Sequence, residues 1–292
     1  MQKSERFVIK IPDILGGTVD RTDRLYSVIQ EVPPSKAYDL DMDAVSFVQP
    51  YGIIGLVLSA RLLSERSGHP VTFRNLRTDI HQYFHRMNIT RVGESWLNVS
   101  GELGEEWIRN PSTQNLLELT LVRNRDDVLN IVNRTEKVFS RWLVVSNLRE
   151  LLTAVSELCT NIYEHSQDDY GCILIQKYAL QSSNQVRVCL TVGDLGIGIQ
   201  GSLSLRFGQQ GLGPMQFLHK AMEGNTSRLS GRGGLGLRTV EKIASQNGGY
   251  LWLRSENAAI YSLGESNRQD QPNLATMPGT QVVIEFKAPM IA

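Results

Sequence analysis

Apolar and polar positions alternate with different periods along the second half of the chain. From residue 148 to residue 162 the apolar residues recur at helical spacing, which predicts an amphipathic helix. Residues 185–199 begin with strict alternation, as expected for a strand with one buried face. Glycines at 231–236 then lead into a second amphipathic helix, and residues 278–286 return to strand-like alternation.

The first half alternates strand and helix patterns. Strands are predicted at 7–11, 37–42 and 69–76, and helices at 52–66 and 79–87, an order that indicates an α/β domain. His81 and His85 stand four apart on the second helix, but a zinc site needs further ligands, and surface histidines are the simpler interpretation.

A boundary between two domains is predicted near residue 112. Residues 91–113 lose periodicity and collect Gly, Ser, Asn and Pro, which is typical of a connector. A strand at 116–122 and a helix from about 126 to 142 follow. We therefore expect an N-terminal domain and connector over residues 1–112 and a second α/β domain over residues 113–292.

Composition narrows the class of protein without naming a partner. Of the 292 residues, 41% are apolar, and 30 basic residues balance 30 acidic ones, so the charge gives no reason to expect nucleic acid or an anionic membrane. No apolar run approaches the roughly 18 residues that span a bilayer, and no signal peptide is evident. Cys159, Cys172 and Cys189 lie in apolar runs without metal-ligand spacing, which predicts reduced core thiols in a cytoplasmic protein.

The N-terminal pattern between about residues 5 and 90 resembles the STAS domain, the fold of anti-sigma-factor antagonists. Members of that family carry a phosphorylatable Ser where their helix begins. Here the matching stretch is Gln49-Pro50-Tyr51-Gly52, which lacks such a hydroxyl, so phosphorylation of a serine at this point is not expected. Tyr51 could substitute for it, although a packing or capping role is the simpler interpretation.

The helix at 148–165 carries unusual polar residues opposite its apolar stripe. Glu157 and Asn161 lie about 40° apart on a helical wheel, so both can face one site. An amide oxygen suits Mg²⁺, and a carboxylate can hold and deprotonate a water molecule. The same spacing also occurs on ordinary exposed helices.

Asp194 follows the alternating strand and shares the parity of its valines, so a regular strand would turn its carboxylate inward. A buried carboxylate needs a hydrogen-bond donor. Gly196 and Gly198 remove side chains beside it, and a flat heterocycle bearing an amino group would fit such a slot. A simple turn after a strand would explain the same residues.

A polar stretch at about 201–230 precedes the segment GRGGLGLRTVEKIASQNGG. Glycines at the start of a helix let backbone N–H groups approach a phosphate. The segment lacks the Gly-Lys-Ser/Thr ending of a P-loop, and its glycines do not follow a strand directly, as they would in a Rossmann unit.

Together and in this order, these motifs resemble the GHKL ATPase family over about residues 115–292. The resemblance implies a Bergerat α/β sandwich, with a mixed sheet layered on helices, an ATP lid, and ATP and Mg²⁺ as ligands. It assigns Glu157 as catalytic base, Asn161 as metal ligand and Asp194 as the acid that binds the adenine amino group. The remaining implied nucleotide contacts are Gly196 and Gly198 at the adenine, Thr280 behind Asp194, and Gly233, Gly234 and Gly236 at the phosphates.

A finer resemblance is to the anti-sigma serine kinases. His165 follows Asn161 by four residues as in that branch, and Arg232 matches an Arg that faces the γ-phosphate and is expected to be catalytic. Arg228 is a second candidate cation.

The leading hypothesis is a cytoplasmic Mg-ATP-binding regulatory protein with ATPase or Ser/Thr kinase activity, coupled to a protein partner such as a STAS or sigma-factor-like regulator. A non-catalytic ATP-binding switch is the alternative, and a homodimer stays open. A sensor histidine kinase is disfavoured because residues 113–147 contain no His.

Overall fold

A computed structural model of the chain describes residues 6–16, 19–101, 116–180, 184–225 and 234–291. The chain divides into two compact units, residues 1–112 and residues 113–292. Within the described ranges, no helix combines the length and the apolar character that a membrane crossing requires.

The first unit contains a parallel sheet in the order β1-β3-β5-β6 and a small parallel pair, β2 with β4. Helical crossovers join the parallel strands, as that strand direction requires. The elements are β1 Arg6–Lys10, β2 Ile14–Leu15, α1 Val19–Gln30, β3 Ala37–Asp41, β4 Phe47–Val48, α2 Pro50–Ser67, β5 Val71–Arg74, α3 Thr78–Arg86, α4 Ile89–Val92 and β6 Leu97–Val99.

The predicted strands and helices of this unit are present, and α1 was not anticipated. The interpretation of His81 as a surface residue is wrong, because its side chain is buried on α3. Burial, and then the neighbouring His85, lower the pKa of His81. The α/β architecture is compatible with the STAS resemblance, which stays a prediction.

The second unit is a seven-stranded sheet covered by helices. Its strand order is β12-β11-β10-β13-β9-β8-β7. The elements are β7 Leu116–Val122, α5 Arg125–Phe139, α6 Val145–His165, β8 Gly171–Ala179, β9 Gln185–Gly193, α7 Gly198–Phe207, a 3₁₀ turn Gly208–Gln210, α8 Pro214–Met222, α9 Gly236–Gln246, β10 Tyr250–Glu256, β11 Ala258–Ser262, β12 Arg268–Gln271 and β13 Met277–Pro289.

The expected mixed sheet is not observed, because every neighbouring pair of described strands in this sheet is antiparallel. β8 and β9 form a hairpin, and β10, β11 and β12 form a meander. β13 then returns between β9 and β10 and runs opposite to both. Strands that run in the same direction are therefore never neighbours in this sheet.

The apolar faces of α5, α6 and α9 pack on one face of this sheet and form the main hydrophobic core. Val186, Val188, Leu190 and Val192 of β9 contribute to that core, as the alternating pattern predicts. The other face of β9 was expected to be open, yet Thr191 is fully buried. Its cross-strand neighbours on this face, Leu174 of β8 and Val283 of β13, are buried as well, so this face of the central strands is also covered.

Leu190 tests the role of the central strand. Leu190→Ala should lower the free energy of unfolding by about 2–5 kcal/mol, because its side chain lies fully inside the core. Leu129 on α5 is 54% exposed, so Leu129→Ala should change it by less than about 0.5 kcal/mol. Urea unfolding followed by circular dichroism measures both values, and equal losses would contradict the assigned core.

Candidate functional site

A cavity of about 410 Å³ lies between α6, the sheet and the beginning of α9. Its lining includes Glu157 and Asn161 from α6, Asp194 after β9, Gly236 at the start of α9, and Thr280 on β13. The structure thus brings the separated motifs of residues 157–280 to one concave site.

The polar face of α6 forms one wall of this cavity. The helix spans Val145–His165, and its apolar stripe is buried in the core, so the opposite face must be turned away from the core. Glu157, Asn161 and His165 all line the cavity. The buried stripe therefore leaves these carboxylate, amide and imidazole groups on the face that lines the cavity.

Asp194 is 4% exposed and lies at the end of β9. Its Oδ1 atom accepts hydrogen bonds from the backbone N–H groups of Gly196 at 2.9 Å and Thr280 at 3.3 Å. The backbone N–H of Asp194 in turn donates to the carbonyl of Thr280 at 3.0 Å. These donors offset part of the cost of burying a carboxylate, and an ionised carboxylate has the capacity to accept more hydrogen bonds from a ligand.

Glycine 279 lets β13 approach this carboxylate. Its φ is +80°, and a Cβ atom here would collide with the backbone carbonyl of Asp194 and meet Oδ1 of the same residue. Gly198 has a φ of +66°, and its Cβ would collide with Ser255 Oγ. Both positions therefore require glycine for conformation and for space.

The residues directly after α6 hold the Asp194 loop in place. Asp168 Oδ2 accepts a hydrogen bond from the backbone N–H of Leu195 at 2.8 Å. The backbone carbonyl of Ser166 accepts one from the backbone N–H of Ile197, also at 2.8 Å. Sequence reasoning missed both residues. The short polar run Ser166-Gln167-Asp168 after a helix is the only signal they leave, and such runs are common in turns.

The first turn of α9 forms the opposite end of the cavity. Gly234 and Gly236 line it, and a Cβ at Gly236 would collide with Glu157 Oε2. A Cβ at Gly234, which has a φ of +89°, would collide with the carbonyl of Gly224. Backbone N–H groups at the start of a helix attract anions, so this end of the cavity suits phosphate.

Residues 146–290 match the family model described as histidine kinase-, DNA gyrase B-, and HSP90-like ATPases. Residues 146–290 form a GHKL-type ATPase domain. The comparison with curated proteins gives no match. The matched range contains α6, Asp194, the start of α9 and β13, and thus every described residue assigned to the site.

The GHKL domain places most of the predicted site residues on the cavity wall. Glu157, Asn161, Asp194, Gly198, Gly234, Gly236 and Thr280 line it. Gly196 is not among the described lining residues: a Cβ there would collide with the carbonyl of Ser166, so this glycine serves the packing of the loop against the end of α6. Arg232, Gly233 and Arg228 lie outside the described residues.

Charge in the GHKL cavity is predominantly acidic over the residues that the structure describes. Glu157, Glu164 and Asp194 line it, whereas Lys and Arg are missing from that described lining. The described residues also contain no group of three or more His, Cys, Asp or Glu side chains arranged for a metal ion. Mg²⁺ commonly takes few protein ligands and completes its shell with water and phosphate oxygens, which fits a single amide such as Asn161.

The three cysteines are buried, and none of them forms a disulfide bond with another. Burial raises the pKa of the Cys189 thiol to about 12 and also raises the pKa of Cys159. Thiols of this kind stay protonated near neutral pH and are poor nucleophiles, so the interpretation of Cys159 and Cys189 as inert core residues agrees with their environment.

Gly279 and Gly248 form a matched pair for testing the Asp194 environment, since both have positive φ, +80° and +62°. A Cβ at Gly248 would have no atom within 4 Å, so Gly248→Ala should lower the free energy of unfolding only through its unfavourable backbone conformation, by about 1 kcal/mol. Gly279→Ala adds a collision with Asp194 and should cost about 1–3 kcal/mol more in unfolding free energy. Equal losses in thermal unfolding of the two variants would contradict the close approach.

Proposed function

We propose that the chain is a Mg-ATP-binding regulatory protein with ATPase or Ser/Thr kinase activity coupled to a protein partner. The observation that carries this proposal is the single cavity in which a backbone-held Asp194 faces the same space as Glu157 and Asn161. The ATP-binding family of residues 146–290 supports the ligand class.

In this proposal each end of the cavity has its own role. Asp194 accepts a hydrogen bond from the adenine amino group, and the apolar side chains Val192 and Val282 in the lining suit a flat base. Gly234, Gly236 and the first N–H groups of α9 receive the phosphates. Bound Mg²⁺, with Asn161 as its proposed protein ligand, would neutralise phosphate charge.

Glu157 is the proposed general base. Its position on the cavity wall, one helical turn before Asn161, is suited to taking a proton from water or from a substrate hydroxyl. That oxygen would bond to the γ-phosphorus while the bond from this phosphorus to the β,γ-bridging oxygen breaks, and ADP would leave. Arg232, assigned by resemblance, would stabilise charge on the transferred group. Hydrolysis and protein phosphorylation differ only in whether water or a hydroxyl presents the attacking oxygen.

The non-catalytic switch is the second candidate, and one contact favours it. The Glu157 carboxylate lies directly against Gly236, so closely that a Cβ at that position would collide with Oε2. A carboxylate retained for packing against the start of α9 would bind ATP without activating an attacking group. Turnover by the wild type therefore decides between the two candidates, and Glu157 variants test the role of this carboxylate.

The partner is proposed from the first unit. This unit is compact and has its own strands and helices, and it resembles STAS domains, so we infer that it recognises a protein regulator. Association of two copies of the chain is the second partner arrangement in this proposal. A cytoplasmic location belongs to this proposal because the three cysteines form no disulfide bond with one another. Pull-down with the chain loaded with Mg-ATP, Mg-ADP or neither should give nucleotide-dependent capture, and identical captured proteins in all three states would oppose coupling.

Asp194→Asn tests adenine recognition. The amide places a donor where the carboxylate accepts, so the affinity for Mg-ATP should fall about tenfold or more. Mg-ITP carries a carbonyl in place of the amino group, so its affinity should fall less. The preference of the protein for ATP over ITP should therefore become smaller in this variant. Calorimetric titration measures both, with Asp126→Asn on the exposed first turn of α5 as the matched control. An unchanged preference for ATP in Asp194→Asn would remove Asp194 from the base site.

Glu157→Gln tests catalysis apart from binding. Loss of the base should lower phosphate release or phosphotransfer about a hundredfold or more, while Mg-ATP affinity stays within a few-fold. Glu136→Gln, on the exposed face of α5, is the control and should keep wild-type turnover. Equal, measurable turnover by wild type and Glu157→Gln would remove Glu157 as the base. No turnover by wild type, with and without partners captured in the pull-down, would favour the non-catalytic switch.

A further inference from the structure

The hairpin of β11 and β12 forms one edge of the seven-stranded sheet, where β11 packs against α8 and the Arg268 side chain of β12 reaches α9. Ser262 and Arg268 face each other across this hairpin. Neither strand contributes a residue to the cavity lining described above. The hairpin nevertheless holds the two helices that lead to the phosphate end of the site.

A buried ion pair joins the hairpin to α9. Arg268 donates to Glu241 through Nε at 2.7 Å and through Nη2 at 2.6 Å, so the guanidinium engages both carboxylate oxygens. Ser262 Oγ donates to the same carboxylate at 2.5 Å. Glu241 and Arg268 have side-chain exposures of only 2% and 14%. We call Arg268, Glu241 and Ser262 the hairpin clasp.

The same hairpin also contacts α8. Arg268 Nη2 lies 3.5 Å from the carbonyl of Met222, the last residue of that helix. His219 Nε2 on α8 lies 2.9 Å from Asp270 Oδ2 on β12. One short strand therefore contacts both α8 and α9, through Arg268 in both cases.

These two helices carry the residues at the proposed phosphate end. Asn225 follows α8 and lines the cavity, and Gly236 begins α9 and also lines it. Gly224 and Gly234 approach so closely that a Cβ at Gly234 would collide with the Gly224 carbonyl. The position of one helix end therefore constrains the other.

The bidentate geometry matters more than the charge alone. A guanidinium engaging both oxygens of a carboxylate fixes distance and orientation, which a single ammonium does not. Buried ion pairs are weak evidence for net stability, since apolar replacement of both partners is often neutral or stabilising. The role of the Arg268–Glu241 pair in fixing the relative positions of α8 and α9 can therefore be tested separately from its role in stability.

We propose that Arg268 is a positioning residue for the triphosphate, acting through Glu241 and the end of α8 rather than by touching the nucleotide. This inference rests on the proposed nucleotide site. It predicts that breaking the clasp weakens the phosphate part of binding and spares the adenosine part, since Asp194 is held by Gly196 and Thr280 instead.

The test compares Mg-ATP and adenosine binding to the full chain, because the ratio of the two affinities isolates the triphosphate contribution. Wild type should bind Mg-ATP more tightly than adenosine, and failure to bind either would overturn the proposed function itself. In Arg268→Gln the ratio should fall about tenfold or more, with adenosine affinity within about twofold of wild type. Arg268→Lys, which keeps the charge but loses the fork, should give an intermediate ratio.

Two further variants separate positioning from stability. Arg134→Gln is the control because it breaks another ion pair, in which Arg134 Nη2 lies 3.0 Å from Oε2 of the buried Glu118. This pair lies outside the described cavity lining, so the variant should keep the wild-type ratio of the two affinities. The double variant Glu241→Leu with Arg268→Met should recover thermal stability but not the ratio. If Arg268→Gln does not fold, the double variant and Arg268→Lys carry the test. A wild-type ratio in either Arg268→Gln or the double variant would overturn the proposal.

Discussion

The burial of one carboxylate constrains much of the GHKL domain. Asp194 is almost fully removed from solvent, and an unpaired charge there would cost several kcal/mol. Its Oδ1 atom is met by backbone N–H groups of Gly196 and Thr280, which requires β13 to lie beside β9 and requires Gly279 to allow the approach. Strand order, glycine placement and the position of the acid are thus parts of one arrangement.

Helix α6 links this arrangement to the proposed chemistry. Its buried stripe fixes the helix against the sheet, so the opposite face, with Glu157 and Asn161, must look into the cavity. Its C-terminal turn leads to Ser166 and Asp168. The Ser166 carbonyl and the Asp168 carboxylate hold the Asp194 loop by accepting hydrogen bonds from backbone N–H groups of that loop. The same helix therefore sets the distance between the proposed base-binding end and the proposed metal-binding end of the site.

The elements with strong periodicity were predictable from sequence. The same periodicity indicated which faces of those elements carry the candidate site residues. The stripe of α6, the alternation of β9 and the glycines before α9 each depend on local pattern alone. The polar stretch at about 201–230 was less informative: the described part contains α7 and α8, where Leu203 and Phe217 are buried in a small separate cluster. Glycine and glutamine between short helices conceal their periodicity, because α7 offers only two buried positions and α8 only four.

Contacts between distant residues were beyond sequence reasoning for a different reason. The pairing of Glu241 with Arg268, the antiparallel insertion of β13 and the packing of Gly196 on Ser166 depend on which strands become neighbours, and no local pattern encodes that choice. Gly196 shows the consequence: a glycine next to a ligand-binding acid was expected to face the ligand, whereas it makes room for backbone.

The account stands on Asp194 as the adenine-binding acid, and a crystal structure of the chain with Mg²⁺ and a non-hydrolysable ATP analogue tests it most directly. The predicted result is an adenine amino nitrogen about 2.7–3.2 Å from an Asp194 carboxylate oxygen, with the phosphates at the start of α9. A nucleotide bound in this cavity with its amino group away from Asp194, or bound elsewhere on the chain, would contradict it.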